Sequence, residues 1–169
     1  ELRRSLGEKG ALVRIIPARG MSSAAASDRD PEAPGKTYSK WAGLLAEEHS
    51  PDMFAAFCFG ITPKEADRLD PQQRLLLEVS WEAMENAGHF PDASRGAPIG
   101  AFVGTCSNDY QLLQSRTGDD TLIDAYFRTG TPNTCASGRL AYTLRLQGPT
   151  LSAGTAGSSA PFPVHLATT

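Results

Sequence analysis

Apolar residues fall in short clusters along this chain, and their spacing predicts a mixture of helices and strands. The clearest helix begins at Asp70, which can cap it, with Pro71 at the first helical position and Gln73 placed for a capping box. Gly88 supplies the stop signal. Small and apolar residues recur at helical spacing between these ends: Leu76, Val79, Ser80, Ala83 and Ala87.

Three further helices are predicted. Thr62 followed by Pro63 and Glu65 indicates a second helix start, with a cap, a first-turn proline and an acid. Residues 133–146 form a third helix, and Gly148 lies beyond its end. Residues 1–18 have the pattern of a short amphipathic helix followed by Ile15-Ile16-Pro17. The face of the third helix is defined by Ala136, Leu140 and Leu144.

The predicted strands are short. Residues 99–103 have the pattern of a buried strand that ends at Gly104, and residues 150–152 that of a second strand. Residues 20–36 are rich in Ser, Ala, Asp, Pro and Gly and are expected to form an exposed loop, and residues 54–61 are a compact apolar run. No internal repeat is visible. The mixture of helices and strands favours a layered α/β architecture.

Composition narrows the function classes. The 169 residues suffice for one domain with a core, and 40% hydrophobic and 21% charged residues are ordinary for a globular protein. A net charge of −3 without a basic run favours neither nucleic acid nor a membrane surface, and no apolar stretch is long enough to span a bilayer. Three scattered cysteines and three scattered histidines predict reduced thiols of a cytoplasmic protein, with no disulfide framework and no metal site.

Several motifs follow one another in a specific order. The segments are P-G-K-T-Y at 34–38, F-G-I-T-P-K-E-A at 59–66, D-P-Q-Q-R-L-L-L-E at 70–78, V-G at 103–104 with S-N-D-Y at 107–110, S-G-R-L-A-Y at 137–142, and G-P-T-L-S-A-G-T-A-G-S-S at 148–159. Together they resemble the β-ketoacyl synthases, or ketosynthases, the condensing domains of type I polyketide and fatty-acid synthases. The 70–78 and 107–110 segments resemble the multidomain polyketide synthase branch.

This resemblance implies a thiolase-like fold of stacked α and β layers. It implies an acyltransferase that joins acyl and malonyl thioesters by decarboxylative condensation, with substrates carried on the phosphopantetheine of an acyl carrier protein. No directly bound cofactor is expected, and the family is homodimeric. The nucleophile is a cysteine thiolate near a helix N-terminus, where the dipole lowers the thiol pKa. Backbone N–H groups hold the oxyanion, and two histidines further along the chain drive decarboxylation.

The chain departs from the family pattern at its reactive segment. The family reads G-P-[ST]-x-x-x-D-T-A-C-S-S, so the catalytic position, that of the nucleophilic cysteine, is Gly157, and the aspartate position is Gly154. Glycine has no side chain and cannot form a thioester. Pro161 and Pro163 stand where the family has helix formers, and Pro163 is expected to disturb a helix by about 3 kcal/mol.

The extent of the chain is also short for the family. Residues 1–169 are interpreted as a partial β-ketoacyl synthase N-terminal domain that lacks the first core strand, the V-G-x-G segment, and the C-terminal half with both histidine motifs. Such an incomplete layered fold leaves sheet edges unpaired. The chain alone is therefore predicted to fold poorly, to aggregate, or to depend on a partner piece.

Two functional hypotheses remain open. The first is a fragment of a polyketide synthase ketosynthase domain that is inactive alone because Gly157 replaces the nucleophile. The second is a non-catalytic structural or interaction piece that pairs with an intact ketosynthase. Family members that replace the cysteine can retain decarboxylation or act as non-condensing partners. The two prolines and the loss of aspartate at Gly154 favour decay of the site instead.

Other candidate residues have simpler interpretations. Ser158 and Ser159 do not fit G-x-S-x-G, and no acid and histidine follow them in order, which disfavours a serine hydrolase. Cys106 and Cys135 are better explained by core packing than by reactivity. His165 is interpreted as structural. Asn108, Asp109 and Tyr110 are expected to anchor a loop, and Glu82 and Glu85 to form a solvated face.

Overall fold

The computed structural model describes residues 13–15, 28–39, 41–43, 45, 50–89 and 96–168. The chain divides into two compact units, Glu1–Ser50 and Pro51–Thr169. In the first unit, strand β1 (Val13–Ile15) pairs antiparallel with strand β2 (Trp41–Gly43). The helix predicted ahead of Ile15 is therefore wrong at Val13 and Arg14, which belong to β1, where the β-branched Val13 and Ile15 favour a strand. The rest of that segment lies outside the described residues.

The loop predicted over residues 20–36 is confirmed in its described part. Residues 28–36 form turns and bends with mostly exposed side chains, while residues 20–27 lie outside the described ranges. The Asp28 amide donates to the Thr37 carbonyl at 3.0 Å, and Lys36 lies 3.8 Å from the Asp28 carboxylate. The segment is closed by these local contacts.

The second unit contains six helices and two strands among its described residues. In chain order they are α1 (Pro63–Arg68), α2 (Pro71–Asn86), β3 (Ala101–Gly104), α3 (Asp109–Ser115), α4 (Ala125–Gly130), α5 (Ala136–Leu144), β4 (Thr150–Ala153) and α6 (Pro161–Thr168). Short 3-10 turns are at Pro51–Met53, Ala56–Phe59, Asp120–Leu122, Asn133–Cys135 and Ala156–Ser158. The predicted helices and strands of this unit are thus confirmed, with small displacements of their ends.

Strands β3 and β4 form a two-stranded parallel sheet. Ala101 is opposite Thr150 and Gly104 is opposite Ala153, so both strands end at the same edge. Helix α5, which precedes β4 in the chain, packs against both strands, and α6, which follows β4, packs against β3. This arrangement places the connections that follow β3 and β4 next to each other.

The core of this unit lies between α2, α5 and the sheet. Helix α5 buries the face that its sequence predicts, Ala136, Leu140 and Leu144. Two leucines are almost fully buried: Leu69, at the junction of α1 and α2, and Leu77, in the second turn of α2. Further buried apolar side chains are Ile61, Ala101, Val103, Phe127, Ala141 and Leu146.

The spacing of α2 predicts the helix but not its buried face. Val79 is 52% exposed and Ala83 and Ala87 are at the surface, whereas Gln73 and Leu77 are buried. Hydrogen bonds decide which face of α2 is buried. The Gln73 side chain donates to carbonyl groups at the end of α4, and Leu77 lies one turn further along the same face. Glu82 and Glu85 are exposed, as predicted.

Both predicted helix caps are present. The Asp70 Oδ1 accepts from the Gln72 amide at 2.8 Å, and the Thr62 Oγ1 accepts from the Glu65 amide at 3.3 Å. The capping box at Gln73 is wrong. The Asp70 amide, which a capping box would engage, already donates to the Gly130 carbonyl at 2.9 Å. The Gln73 side chain instead donates to the same carbonyl at 3.0 Å and accepts from Arg139 Nε at 2.8 Å.

Besides the end of α4, polar contacts from the start of α2 reach four other segments. Gln73 accepts from Arg139 Nε of α5 at 2.8 Å, and Gln72 donates to the Ser107 carbonyl at 3.2 Å. Arg74 donates to the Pro51 carbonyl and, at 3.3 Å, to the hydroxyl of Tyr110 in α3. Because these contacts point in different directions, α2 ties together the segments that surround it.

Tyr110 confirms the anchoring role predicted for its segment. Its hydroxyl donates to the Asp67 carbonyl at 2.7 Å while accepting from Arg74. The Asn108 side chain makes no cap hydrogen bond at the start of α3. The anchor is therefore the tyrosine.

The small core generates a prediction for the chain in solution. Phe57 is 94% exposed, Tyr142 85%, Met53 73% and Val164 64%, and within the described residues β3 and β4 have no strand partner but each other. Two strands are marginal as an independent sheet. We expect calorimetry to show no cooperative unfolding transition and size-exclusion chromatography to show aggregates. A soluble monomer with a single sharp transition would contradict this expectation.

Asp70 generates a second prediction, which concerns pH. Its side chain is 2% exposed, and burial raises the pKa of this carboxyl above 3.8 although the amide of Gln72 donates to it. A raised folded-state pKa means that the contribution of Asp70 to stability is present below pH 3.8 and is lost as pH rises through the folded value. Asp70→Asn keeps the cap oxygen without the buried charge. We expect its α2 amides to gain hydrogen-exchange protection relative to the parent at pH 7 and to match it at about pH 3, below the ordinary carboxyl pKa.

Asp70→Ala is the matched control for the cap itself. It removes the cap oxygen together with the carboxyl, and it is expected to cost about 1 kcal/mol at about pH 3 and less at pH 7, where loss of the buried charge offsets part of the lost cap. If Asp70→Asn lost protection at neutral pH as Asp70→Ala does, burial of the charge would not be the cause of the pH dependence.

Candidate functional site

The connection between β4 and α6 is the segment that the sequence singles out. It comprises residues 154–160, called the 154–160 turn below, and contains the 3-10 turn Ala156–Ser158. The Ser158 amide donates to the Thr155 carbonyl at 3.3 Å, and the Ser159 amide donates to the Ala156 carbonyl at 3.1 Å. Gly157 lies at the exposed centre of this turn. A side chain at position 157 would therefore be accessible to a substrate from solvent.

A close backbone contact presses this turn onto β3. A Cβ atom at Gly104 would overlap the Ser159 carbonyl oxygen and lie 3.2 Å from Pro163 Cγ. Ser159 is buried, and its hydroxyl accepts from the Thr155 amide at 2.9 Å and donates to the Ala156 carbonyl at 2.8 Å. The turn can lie this close to β3 only because residue 104 is a glycine.

The two glycines of the turn differ in the space around them. A Cβ at Gly157 would meet no atom within 4 Å, and Gly157 is not among the residues with positive φ. A Cβ at Gly154 would lie 2.8 Å from the Thr105 carbonyl oxygen, a separation at which the backbone has to shift. Position 157 can therefore carry a side chain in this conformation, whereas position 154 cannot.

Ala156 stores strain beside Gly157. It has a φ of 53°, in the left-handed region that residues with a Cβ rarely adopt. Such residues persist only where their surroundings hold them, and here the hydroxyl of Ser159 donates to the Ala156 carbonyl at 2.8 Å. The turn is held in a fixed shape.

The disturbance predicted from Pro163 is wrong in this structure. Residues Pro161–Thr168 form helix α6, and both prolines lie in its first turn. Amides in the first turn have no intrahelical acceptor, so the missing N–H costs no helical hydrogen bond there. Pro163 is buried against Gly104 and contributes to the packing of α6 on β3.

The serine side chains of the turn are engaged in holding its shape. The Ser158 hydroxyl lies 3.0 Å from both the Thr155 carbonyl and the Thr155 hydroxyl, and that of Ser159 donates to the backbone. These contacts give both serines a structural role.

The cysteines are placed differently from the prediction. Core packing is wrong for Cys106, which is exposed in the loop between β3 and α3. Cys135 is half-buried in the 3-10 turn that precedes α5, and Cys58 is exposed. His165 is exposed on α6, and its carbonyl accepts from the Thr168 hydroxyl at 2.9 Å.

Two hydrogen bonds that the sequence does not signal fix the start of α5 to β4. The Ser152 hydroxyl accepts from the Ser137 amide at 3.0 Å and donates to the Ser137 hydroxyl at 2.9 Å. Serines at a helix start and in a strand carry no pairing signal in one sequence. The role of Gly104 has a weak signal, because a glycine at the end of a strand often marks a close backbone approach.

A cleft lies elsewhere in the second unit. It has a volume of about 640 Å³, and its lining includes Glu65, Arg139, Tyr142 and Arg145. Arg139 and Glu65 form an ion pair at 2.6 Å within it. None of the described residues that line it belongs to 150–168, so this cleft is separate from the turn.

Metal centres and membrane helices are both missing from the part of the chain that the structure describes. Its residues contain no group of three histidine, cysteine, aspartate or glutamate side chains placed to hold a metal ion. No helix within these ranges has the length and apolar character to cross a membrane.

Comparison with known proteins places the chain among polyketide synthases. The sequence profile of the beta-ketoacyl synthase N-terminal domain matches residues 1–169. The chain is 44% identical over 155 residues to a phenolphthiocerol/phthiocerol polyketide synthase of Mycobacterium tuberculosis, covering 92% of this chain and 8% of that protein. It is 44% identical over 161 residues to pikromycin polyketide synthase component PikAII of Streptomyces venezuelae, covering 95% of this chain and 4% of that protein.

Solved structures show the same relationship. The oxazolomycin ketosynthase domain OzmH KS7 of Streptomyces albus superimposes with a TM-score of 0.74 at 31% identity, over 92% of this chain and 26% of that one. The ketosynthase from module 6 of the bacillaene synthase of Bacillus subtilis gives 0.72 at 27% identity, over 92% of this chain and 23% of that one. The chain thus spans about a quarter of these ketosynthases, and their fold is thiolase-like. The chain belongs to the β-ketoacyl synthase family and corresponds to the N-terminal portion of a ketosynthase domain of the modular type I polyketide synthases.

Proposed function

We propose that this chain is part of a ketosynthase domain that lacks the cysteine nucleophile to which the acyl group is attached. Gly157 occupies the position of the family's nucleophilic cysteine, and with glycine at this position the segment forms no thioester. The observation that carries the proposal is the turn itself. It follows a parallel strand, precedes a helix, and presents at its exposed centre a residue with no side chain and with no atom within 4 Å of a Cβ position.

The substrates follow from the family. We propose acyl and malonyl thioesters on the phosphopantetheine of an acyl carrier protein as the ligand class, in a cytoplasmic, homodimeric assembly. The 154–160 turn keeps a defined backbone, because Gly104 lets it close onto β3 and Ala156 is held in its strained conformation. What the turn lacks is the thiol of the family's nucleophilic cysteine.

A second candidate is supported by the surface of the chain. Tyr142 and Phe57 are 85% and 94% exposed, and we propose that another polypeptide covers them. A non-catalytic piece that pairs with an intact ketosynthase would bury these side chains.

Restoring the cysteine tests the first proposal. In Gly157→Cys the thiolate would attack the carbonyl carbon of an acyl thioester, the bond to the carrier sulfur would break, and that sulfur would leave as a thiolate and take up a proton from water. We expect mass spectrometry to find a hydroxylamine-labile acyl group on the peptide that contains position 157 after incubation with an acyl-pantetheine thioester at about pH 9. At this pH an unperturbed thiol is largely ionised.

Gly157→Ser is the matched control, because it has nearly the same size without a thiol and is expected to remain unlabelled. The native thiols Cys58, Cys106 and Cys135, mapped on their own peptides, report the background rate of acylation. Absence of label at position 157 of the cysteine variant, or equal labelling in the serine variant, would overturn the assignment of this position.

Co-purification tests the second candidate. The chain is expressed together with an intact, affinity-tagged ketosynthase from a polyketide synthase, and the co-purified fraction is measured. Tyr142→Ser is expected to reduce this fraction several-fold, whereas Glu82→Ala, at another exposed position of the same unit, is expected to leave it unchanged. An absence of co-purification with the unaltered chain would refute the pairing.

A further inference from the structure

We propose that the cleft lined by Tyr142 and Arg145 binds a small molecule that carries a carboxylate on an aromatic or other apolar body. Three features of its lining point to this ligand. They are an apolar floor, an exposed aromatic ring, and a cation that has no partner among the described residues. The site is separate from the 154–160 turn, so the proposal is independent of the role assigned to Gly157.

The net charge of the cleft comes from Arg145. Two other charged residues line it, Glu65 and Arg139, and they neutralise each other in their ion pair. The guanidinium of Arg139 also donates to Gln73 Oε1 and to the Thr129 carbonyl. The side chain of Arg145 is exposed and makes no hydrogen bond or ion pair within the described ranges. Its planar guanidinium is therefore free to bind a carboxylate through two parallel hydrogen bonds.

The backbone of Arg145 has a conformation that a residue with a side chain rarely adopts. Arg145 follows the last residue of α5 with a φ of 56°, in the left-handed region where glycine is the usual residue at a helix end. Two hydrogen bonds of 2.8 Å hold it there, from the Leu146 amide to the Ala141 carbonyl and from the Gly96 amide to the Arg145 carbonyl. A cation in the last helical turn would complement the helix dipole without this strain. Such strain is typical of residues that contact ligands, which favours a binding role for this side chain.

The size and the apolar lining of the cleft select the rest of the ligand. Its volume of about 640 Å³ lies within the range of small-molecule pockets. Phe59, Ile61 and Leu146 supply apolar surface, and Tyr142, one helical turn before Arg145, is 85% exposed. A ring or a branched chain can lie on these side chains while its carboxylate binds the guanidinium. A fully hydrophilic anion would use the arginine alone.

Protection of Arg145 from chemical modification tests the site. The dilute full chain is treated with butanedione, which modifies exposed guanidinium groups, and mass spectrometry reads the extent on the peptide that carries each arginine. A Kd of about 1 mM for benzoate would leave about one tenth of the sites free at about 10 mM, so we expect modification of Arg145 to slow about tenfold. Acetate lacks the apolar body and benzamide lacks the charge, and each is expected to slow it less than about twofold.

Arg116 is the matched internal control. It is exposed at the C-terminal end of α3, as Arg145 is at that of α5, but its backbone is in the ordinary helical region and it does not line the cleft. Benzoate is expected to leave its modification unchanged. Equal protection of Arg116, equal protection of Arg145 by acetate, or no protection by benzoate would overturn the proposal.

Variants test the same site by saturation-transfer NMR on the benzoate protons. Arg145→Gly introduces the residue that the left-handed backbone favours, so it is expected to fold at least as well as the parent while losing most of the signal. Tyr142→Ala is expected to weaken the signal several-fold, and Glu82→Ala, at an exposed position of α2, to leave it unchanged. A full signal in Arg145→Gly or in Tyr142→Ala would contradict the proposed site. These measurements involve neither position 157 nor a ketosynthase partner, so their outcome is distinct from that of the acylation and co-purification tests.

Discussion

The hydrogen bonds at the start of α2 are the constraint on which the second unit depends. Each residue at this helix start has a different partner. Asp70 caps the helix, and Gln72 and Gln73 donate to carbonyl groups outside it. Arg74 joins Pro51 to α3. Arg139 of α5 completes the set through Gln73. Because the apolar core is small, a few charge-assisted bonds to buried carbonyls are needed to specify how the helices meet.

The 154–160 turn depends on this arrangement indirectly. Helix α5 is fixed to α2 through Arg139 and to β4 through the bond between Ser137 and Ser152. Strand β4 then places the turn beside β3, where Gly104 allows close approach. The turn therefore keeps a fixed shape although its central residue is glycine. Of its two glycine positions, only position 157 has room for a side chain.

Local signals explain why much of this fold can be predicted from the sequence. Caps, first-turn prolines and helical spacing predict α1, α2 and α5, and short apolar runs predict β3 and β4. The inward face of α2 cannot be predicted in the same way, because carbonyl partners of Gln73 that are distant in sequence decide it.

The candidate site is only partly visible in the sequence. Pro163 looks disruptive if it is placed inside a helix, and only the position at which α6 begins shows that it lies in the first turn. The motif locates Gly157. The carbonyl of Thr105 that blocks position 154 comes from the segment after β3, however, and has no signature in one sequence.

Loss of the nucleophile at position 157 is tested most directly on the unaltered chain. After exposure to an acyl-carrier-protein thioester, the peptide that carries residues 154–168 is isolated and its mass is determined. We expect the unmodified mass, because Gly157 has no nucleophile and the hydroxyls of Ser158 and Ser159 are engaged within the turn. A hydroxylamine-labile acyl group on this peptide would contradict it, since the turn would then possess a nucleophile of its own.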